Sequence, residues 1–190
     1  MKRMTWITAV CMVMGLAGSI AGAQDGEGGL GLYAIEGLAC VAKSGDLGGT
    51  FGIALTADIG ELMPNMAIFP GISYWSKSVS VAGYAGSGYA LKNQELGLQV
   101  DLHYYLNPDE QVNYYVGSGV GLFSSSISVE AGSGLESEAV SESKFGLSML
   151  AGLEYPLGER TRFVGEGRYK IDGRHNQLGL RLGINLEMGR

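Results

Sequence analysis

An all-β fold, an eight-stranded antiparallel up-and-down transmembrane β-barrel, is the class that this 190-residue sequence predicts, and three observations carry the prediction. First, long stretches alternate strictly. In "ELGLQVDLHYYL", Glu95 to Leu106, every even position is apolar or aromatic (Leu96, Leu98, Val100, Leu102, Tyr104, Leu106) and the odd ones are mostly polar or glycine. Successive strand side chains point to opposite faces, so the stretch writes two faces rather than a helical stripe. Second, the polar faces of such stretches hold many of the chain's 32 glycines. Third, only 17% of the residues are charged, against roughly 25% in soluble domains.

The first element is an export signal over residues 1–23. Lys2 and Arg3 precede an apolar run from Thr5 to Ile20, and Ala21-Gly22-Ala23 supplies a small-residue cleavage site before Gln24. The run is shorter than the ~20 apolar residues of a spanning helix, and Cys11 lies inside it, where it makes no lipoprotein signal. Cleavage removes two basic residues and no acids, taking the formal charge from −6 to −8. An acidic chain argues against nucleic acid as a partner. Cys40 is then the one cysteine left, so no intrachain disulfide forms, and between Ala39 and Val41 it reads as a small strand residue. Residues 24–29 make a glycine-rich, acidic flexible lead, and residues 30–190 the barrel domain.

Eight alternating or β-rich segments follow, at 30–43, 50–60, 66–78, 90–106, 112–128, 142–157, 160–171 and 176–188. Lys144–Leu157 sets Phe145, Leu147, Met149, Ala151, Leu153, Tyr155 and Leu157 against Lys144, Gly146, Ser148, Gly152 and Glu154. Gln177–Met188 repeats the scheme, with Leu178, Leu180, Leu182, Ile184, Leu186 and Met188 on one face. About ten tilted residues suffice for a strand to cross a bilayer. The links Gly60–Asn65, Asn107–Gln111 and Leu157–Arg160 are tight, whereas Val79–Leu91 and Val129–Ser141 are long and rich in Gly, Ser and Ala. Short periplasmic turns and longer external loops are the asymmetry of membrane barrels. Two links on the external side, Ser44–Gly49 and Asp172–His175, are short as well. Pro70, which lacks a ladder donor, places a bulge or a later strand start in the third segment.

Which face meets water decides where the protein resides. In a soluble secreted ligand-binding barrel the apolar face would be the interior, and Gly97, Gly117, Gly119, Gly121, Gly146, Gly152, Gly179 and Gly183 would sit on a solvated surface, where glycine only weakens a strand. Turned into a lumen just wide enough for side chains, the same glycines make room for larger neighbours. Bulky groups then face lipid, and small or charged ones face inward. Closure also removes sheet edges, which hydrocarbon cannot hydrogen-bond. Tyr104, Tyr105, Tyr114, Tyr115, Tyr155 and Tyr169, near segment ends, suit interfacial girdles.

The inward faces carry the candidate site. Arg162, Glu166, Arg168 and Lys170 alternate on segment 160–171, beside Lys144 and Glu154 on one neighbour and Arg181 and Glu187 on the other; Glu95, Gln99, Asp101 and His103 extend the polar lumen. Opposite charges on adjacent strands pair, and a narrow lumen makes pairing close to necessary, because an isolated buried charge is costly. The expectation is an ion-pair network centred on Glu166 and Arg168 that plugs the barrel.

From residue 30 onward the chain resembles the small eight-stranded outer membrane protein β-barrel domain family, that of OmpX and the OmpA membrane domain. The resemblance rests on "GISYWSKS" at 71–78, "NYYVGSGVGL" at 113–122, "FVGEGRYK" at 163–170 and "LGLRLGINLEM" at 178–188. It implies residence in the cell outer membrane of a Gram-negative envelope, outer membrane lipids and the barrel-assembly machinery as partners, and external loops 79–91 and 129–141 open to extracellular partners. Such proteins often end in an aromatic residue recognised during assembly, whereas this chain ends Met188-Gly189-Arg190.

No catalytic set is expected. Some eight-stranded barrels modify lipid A, which would require a serine, a histidine base and an orienting carboxylate. The chain has two histidines, His103 near the Asn107 turn, with no serine two positions away, and His175 in a link. Two separated histidines and one cysteine give no zinc spacing, so neither metal nor cofactor is expected. "GSGVG" at 117–121 precedes no helix and reads as strand rather than phosphate loop. The function expected is a structural or surface-interaction barrel without catalysis, with a small porin-like diffusion channel as the alternative.

Overall fold

The computed structural model describes residues 31–44, 48–81, 89–108, 110–131, 140–173 and 176–188. Its strands are β1 (Ala34–Ser44), β2 (Gly48–Asp58), β3 (Glu61–Met63), β4 (Met66–Val81), β5 (Tyr89–Tyr105), β6 (Asn113–Ala131), β7 (Val140–Pro156), β8 (Thr161–Ile171) and β9 (Gln177–Glu187). β3 is a three-residue spur on the foot of β4. The other eight strands pair antiparallel with their sequence neighbours, and β9 pairs with β1, which closes the barrel. The expected segments correspond to these eight strands, with ends that differ by up to about four residues.

Strand length divides the barrel into two walls. β1, β2, β8 and β9 have 11 residues each, whereas β4, β5, β6 and β7 have 16, 17, 19 and 17. At ~3.4 Å per residue and a tilt of ~40°, the short strands rise about 28 Å, enough for the ~25 Å apolar band of a membrane barrel. The long wall stands above that level at the end away from the short turns.

Alternation sets the two surfaces. Phe145, Phe51, Leu178 and Leu147 are 81%, 74%, 64% and 62% exposed on the outside. Inside, the lumen is not limited to small and charged residues: Leu38, Phe69, Trp75, Phe123, Leu150 and Val164 are all buried there. The inward glycines are their cradles. A Cβ on Gly97, Gly121 or Gly146 would lie 2.8–2.9 Å from the Phe123 ring, and one on Gly152 would meet the Tyr115 ring at 2.4 Å. Glycine and aromatic residue fill the section together, as close packing requires.

Two expectations are corrected. Tyr105 and Tyr115 are not girdle residues: Tyr115 is 2% exposed, and the Tyr105 hydroxyl reaches the luminal Glu154. Consecutive residues face opposite ways, so each Tyr-Tyr pair can send only one ring outward. Those rings are Tyr104 and Tyr114, exposed with Tyr155 at the turn end. Pro70 causes neither a later strand start nor a bulge in β4, which begins at Met66 and passes Pro70↔Val100 in unbroken register with β5. The β2–β4 ladder ends at Thr56↔Gly71 and resumes through Ile59 N to Ile68 O (3.1 Å) and Ile68 N to Gly60 O (2.9 Å). Alternate residues direct their N–H groups to the same neighbour, so the proline nitrogen faces this gap and the β5 ladder loses nothing.

The turns are fixed locally. Asn107 clamps its own turn, donating from Nδ2 to Val112 O (2.7 Å) and accepting from Tyr114 N (2.7 Å). Asn65 takes the left-handed conformation (φ 66°) between β3 and β4, which asparagine tolerates better than most residues. The loops 79–91 and 129–141 lie largely outside the described residues, as does His175.

Candidate functional site

In the middle of the barrel, inward-pointing charges carried by three strands meet. β8 supplies Glu166 and Arg168, β9 supplies Arg181 opposite Glu166 in register, and β5 supplies Gln99, Asp101 and His103 from across the bore. Arg168 grips Asp101 with both terminal nitrogens, Nη2 to Oδ2 at 2.5 Å and Nη1 to Oδ1 at 3.0 Å. The same guanidinium donates from Nε to Glu166 Oε1 (2.9 Å) and from Nη1 to Ser148 Oγ (3.2 Å). Glu166 also faces Arg181 Nη1 at 3.6 Å and accepts from the Tyr115 hydroxyl at 3.3 Å. Gln99 donates to Asp101 Oδ2 (2.9 Å) and accepts from Arg181 Nη2 (3.4 Å).

The four ionic side chains at this level are at most 6% exposed. Two carboxylates face two guanidiniums, so the centre carries no net charge, the condition under which buried ions are tolerable. Bidentate Arg–carboxylate geometry is among the strongest available. Gly119 makes it possible, because a Cβ there would stand 1.9 Å from Asp101 Oδ1.

Beside the ions runs an aromatic stack. His103 lies between Phe69 and Tyr115, with ring centroids 4.0 and 4.4 Å away and interplanar angles of 20° and 7°. Neither ring nitrogen has a hydrogen-bond partner within the protein, and Nε2 is 3.9 Å from Glu166 Oε2. His103 is therefore a packing element of the lumen wall, with no hydroxyl held for activation.

The other expected network members separate toward the two ends. Toward the loop end, Lys170 bridges Glu95 (2.5 Å) and Asp172 (3.5 Å) and sits 4.3 Å above the Phe123 ring. Toward the turn end, Arg162 Nε pairs with Glu187 (2.7 Å) and Nη1 approaches Glu154 (3.9 Å), whose Oε1 accepts from Tyr105 (2.7 Å). Lys144 stands apart from the central group: it is about one-third exposed and pairs with Glu142 of its own strand at 3.2 Å.

Sequence reasoning passed over Glu36, which is 1% exposed and accepts from Thr56 (2.8 Å) and Asn185 (3.1 Å) on the strands either side. The signal was available, since Glu36 shares the alternate set Ala34, Leu38 and Cys40, a lone acid on an otherwise apolar face. The partners of the aromatic stack were not legible, because Phe69 and Tyr115 meet His103 only through the register of three strands.

Free space is uneven along the bore. A void of about 20 Å³ lies between Trp75, Phe123, Arg168 and Arg181, room for about one water. A cavity of about 490 Å³ opens at the turn end, lined by Tyr33, Asp58, Glu61, Asn113, Arg162 and Glu187 among others. Among the described residues no cluster of His, Cys, Asp and Glu has the geometry to hold a metal ion.

A closed antiparallel barrel with an apolar exterior and an interior that carries paired ions defines a membrane-spanning β-barrel protein. The outer membrane protein beta-barrel domain family matches residues 7–186, and the chain belongs to it. Family membership implies residence in the outer membrane of a Gram-negative envelope. Among solved structures, the chain is similar to Neisserial surface protein A, with 16% identity, 82% of this chain and 97% of that one covered, and a TM-score of 0.59. OprG from Pseudomonas aeruginosa matches at 15% identity, 85% and 97% coverage and a TM-score of 0.59. Ail, the attachment invasion locus protein of Yersinia pestis, solved with the heparin analogue sucrose octasulfate, matches at 14% identity, 83% and 97% coverage and a TM-score of 0.52. These likenesses carry the fold. No curated protein matches the chain.

Proposed function

We propose that this protein is a non-catalytic, non-conducting barrel of the outer membrane with a structural or surface-interaction role. The observation that carries the reading is the grip of Arg168 on Asp101, which joins opposite walls across the middle of the bore and leaves about 20 Å³ beside it. In this reading residues 1–23 direct export and are removed, 24–29 lead into the barrel, the assembly machinery inserts it, and loops 79–91 and 129–141 meet extracellular partners. The bore is closed by fixed ion pairs.

One observation favours the second reading, a small diffusion channel. The 490 Å³ cavity reaches in from the turn end and shortens the section that would have to open for a path to exist. Conductance of the refolded protein in a planar bilayer separates the two. The plugged barrel gives no steady openings above baseline, and a regular ohmic conductance would establish the channel instead.

A further inference from the structure

The cavity of about 490 Å³ at the turn end stands apart from the central ion pairs. Its size falls within the roughly 300–1,000 Å³ of small-molecule sites, which occur in the mouths of β-barrels. Asp58, Glu61, Glu154 and Glu187 line it against a single cation, Arg162, and a cleft lined by one sign of charge concentrates ions of the other. Register fixes the spacing of two of these acids. Ala34 pairs with Asp58 on one side and with Glu187 on the other. The two carboxylates therefore flank a single methyl group, on strands ~10 Å apart. Arg162 Nε holds Glu187 Oε1 at 2.7 Å, which fixes that side chain and leaves Oε2 over.

One row deeper lies an observation independent of charge. Asn185 lines the same cavity and is 4% exposed. Its Nδ2 donates to Glu36 Oε1 (3.1 Å), whereas Oδ1, an acceptor, meets no donor within the protein. Buried polar atoms are seldom left in that state. An ammonium group brings three donors and a positive charge, and so answers both features. A metal ion does not, since among the described residues no cluster of His, Cys, Asp and Glu has the geometry to hold one. The negative charge is spread around the mouth, and its complement is spread in the same way, as two ammonium groups on one short chain.

We propose that the turn-end cavity is a binding site for a short linear diamine. One ammonium sits against Asp58 and the other against Glu187 and the Asn185 carbonyl, with the alkyl chain crossing Ala34. Binding there does not depend on whether the bore conducts.

The test is equilibrium dialysis of radiolabelled putrescine, a four-carbon diamine, against refolded full-length protein in detergent micelles, with n-butylamine and Mg²⁺ as competitors. The proposal expects saturable binding of one putrescine per chain, with n-butylamine and Mg²⁺ severalfold poorer as competitors than unlabelled putrescine. Asp58→Asn and Glu187→Gln should each weaken binding severalfold, while Glu142→Gln at the loop end leaves it unchanged. Heat-modifiable gel mobility verifies the fold of every variant, and Glu61→Gln, on the exposed spur, supplies a further reading should one of the others not fold. Absence of saturable binding overturns the proposal, as does unaltered binding in the folded turn-end variants. Equal competition by n-butylamine or Mg²⁺ overturns it too, since it would leave only a general attraction of cations, and so does an equal loss in Glu142→Gln.

Discussion

Replacing Arg168 by methionine removes a guanidinium that is 6% exposed and leaves its partners in place. Asp101 loses its bonds at 2.5 and 3.0 Å and keeps only that from Gln99 at 2.9 Å. Glu166 loses the 2.9 Å bond to Nε but retains Arg181 at 3.6 Å and the Tyr115 hydroxyl at 3.3 Å. The uncompensated charge therefore falls on Asp101. Methionine is long and adaptable enough to occupy most of the vacated space, so the electrostatic effect dominates over cavity formation. Removing one partner of a buried pair destabilises by about 3–5 kcal/mol, and that is the expected loss. Replacing both, Arg168→Met with Asp101→Leu, removes the orphaned charge and should recover more than half of it. Arg168→Lys keeps the charge but not the fork and should fall between wild type and Arg168→Met. Equilibrium urea unfolding in phospholipid vesicles, followed by tryptophan emission and by heat-modifiable gel mobility, measures each. A loss below about 1 kcal/mol for the single variant, or a double variant less stable than the single, would refute the argument that pairing holds this charge in the bore.

Three further outcomes are expected. Gly119→Val places a Cβ against Asp101 Oδ1 and should destabilise by at least ~1–3 kcal/mol, read as a lower temperature at which the folded gel band disappears. Leu180→Arg puts a charge on the lipid face in mid-span and should cost about 2–4 kcal/mol, whereas Leu62→Arg, at the exposed turn end, should cost about 0–1 kcal/mol by the same unfolding assay. Tyr115→Phe gives up a single 3.3 Å hydrogen bond to Glu166 and should cost about 1 kcal/mol; Tyr115→Ala empties the stack beside His103 and should cost about 3–5 kcal/mol in the same titration.

What the sequence made legible was the property that period-two alternation encodes: which residues share a face. Leu178 through Leu186 outward and Arg181 inward follow from that alone, as does the inward set Glu166, Arg168 and Lys170. Of the two Tyr-Tyr pairs, Tyr104 and Tyr114 face outward as expected, and Tyr105 and Tyr115 do not, because parity, set by the backbone, prevails over position along the segment. Contacts across the bore were not legible. Asp101 and Arg168 lie 67 positions apart, and whether they meet depends on the register of every strand between them, which no local pattern encodes. Lys144 shows the same limit, since its parity is inward but its height places it above the central group, beside Glu142. The long wall was largely legible: the segments 90–106, 112–128 and 142–157 cover most of β5, β6 and β7, Ser124–Ser128 included, and only the loop-end residues 79–81, 89, 129–131 and 140–141 lie outside the expected segments.

The most direct test of the account is the orientation of neighbouring side chains in mid-strand. Nitroxides at Leu98 and Leu180 in lipid vesicles should be relaxed strongly by oxygen and shielded from a water-soluble relaxant, while labels at Gln99 and Arg181 should be shielded from oxygen and immobilised by packing. The reverse pattern, with oil at Gln99 and Arg181 and a packed or aqueous setting at the two leucines, would contradict the assignment of inside and outside on which the site depends.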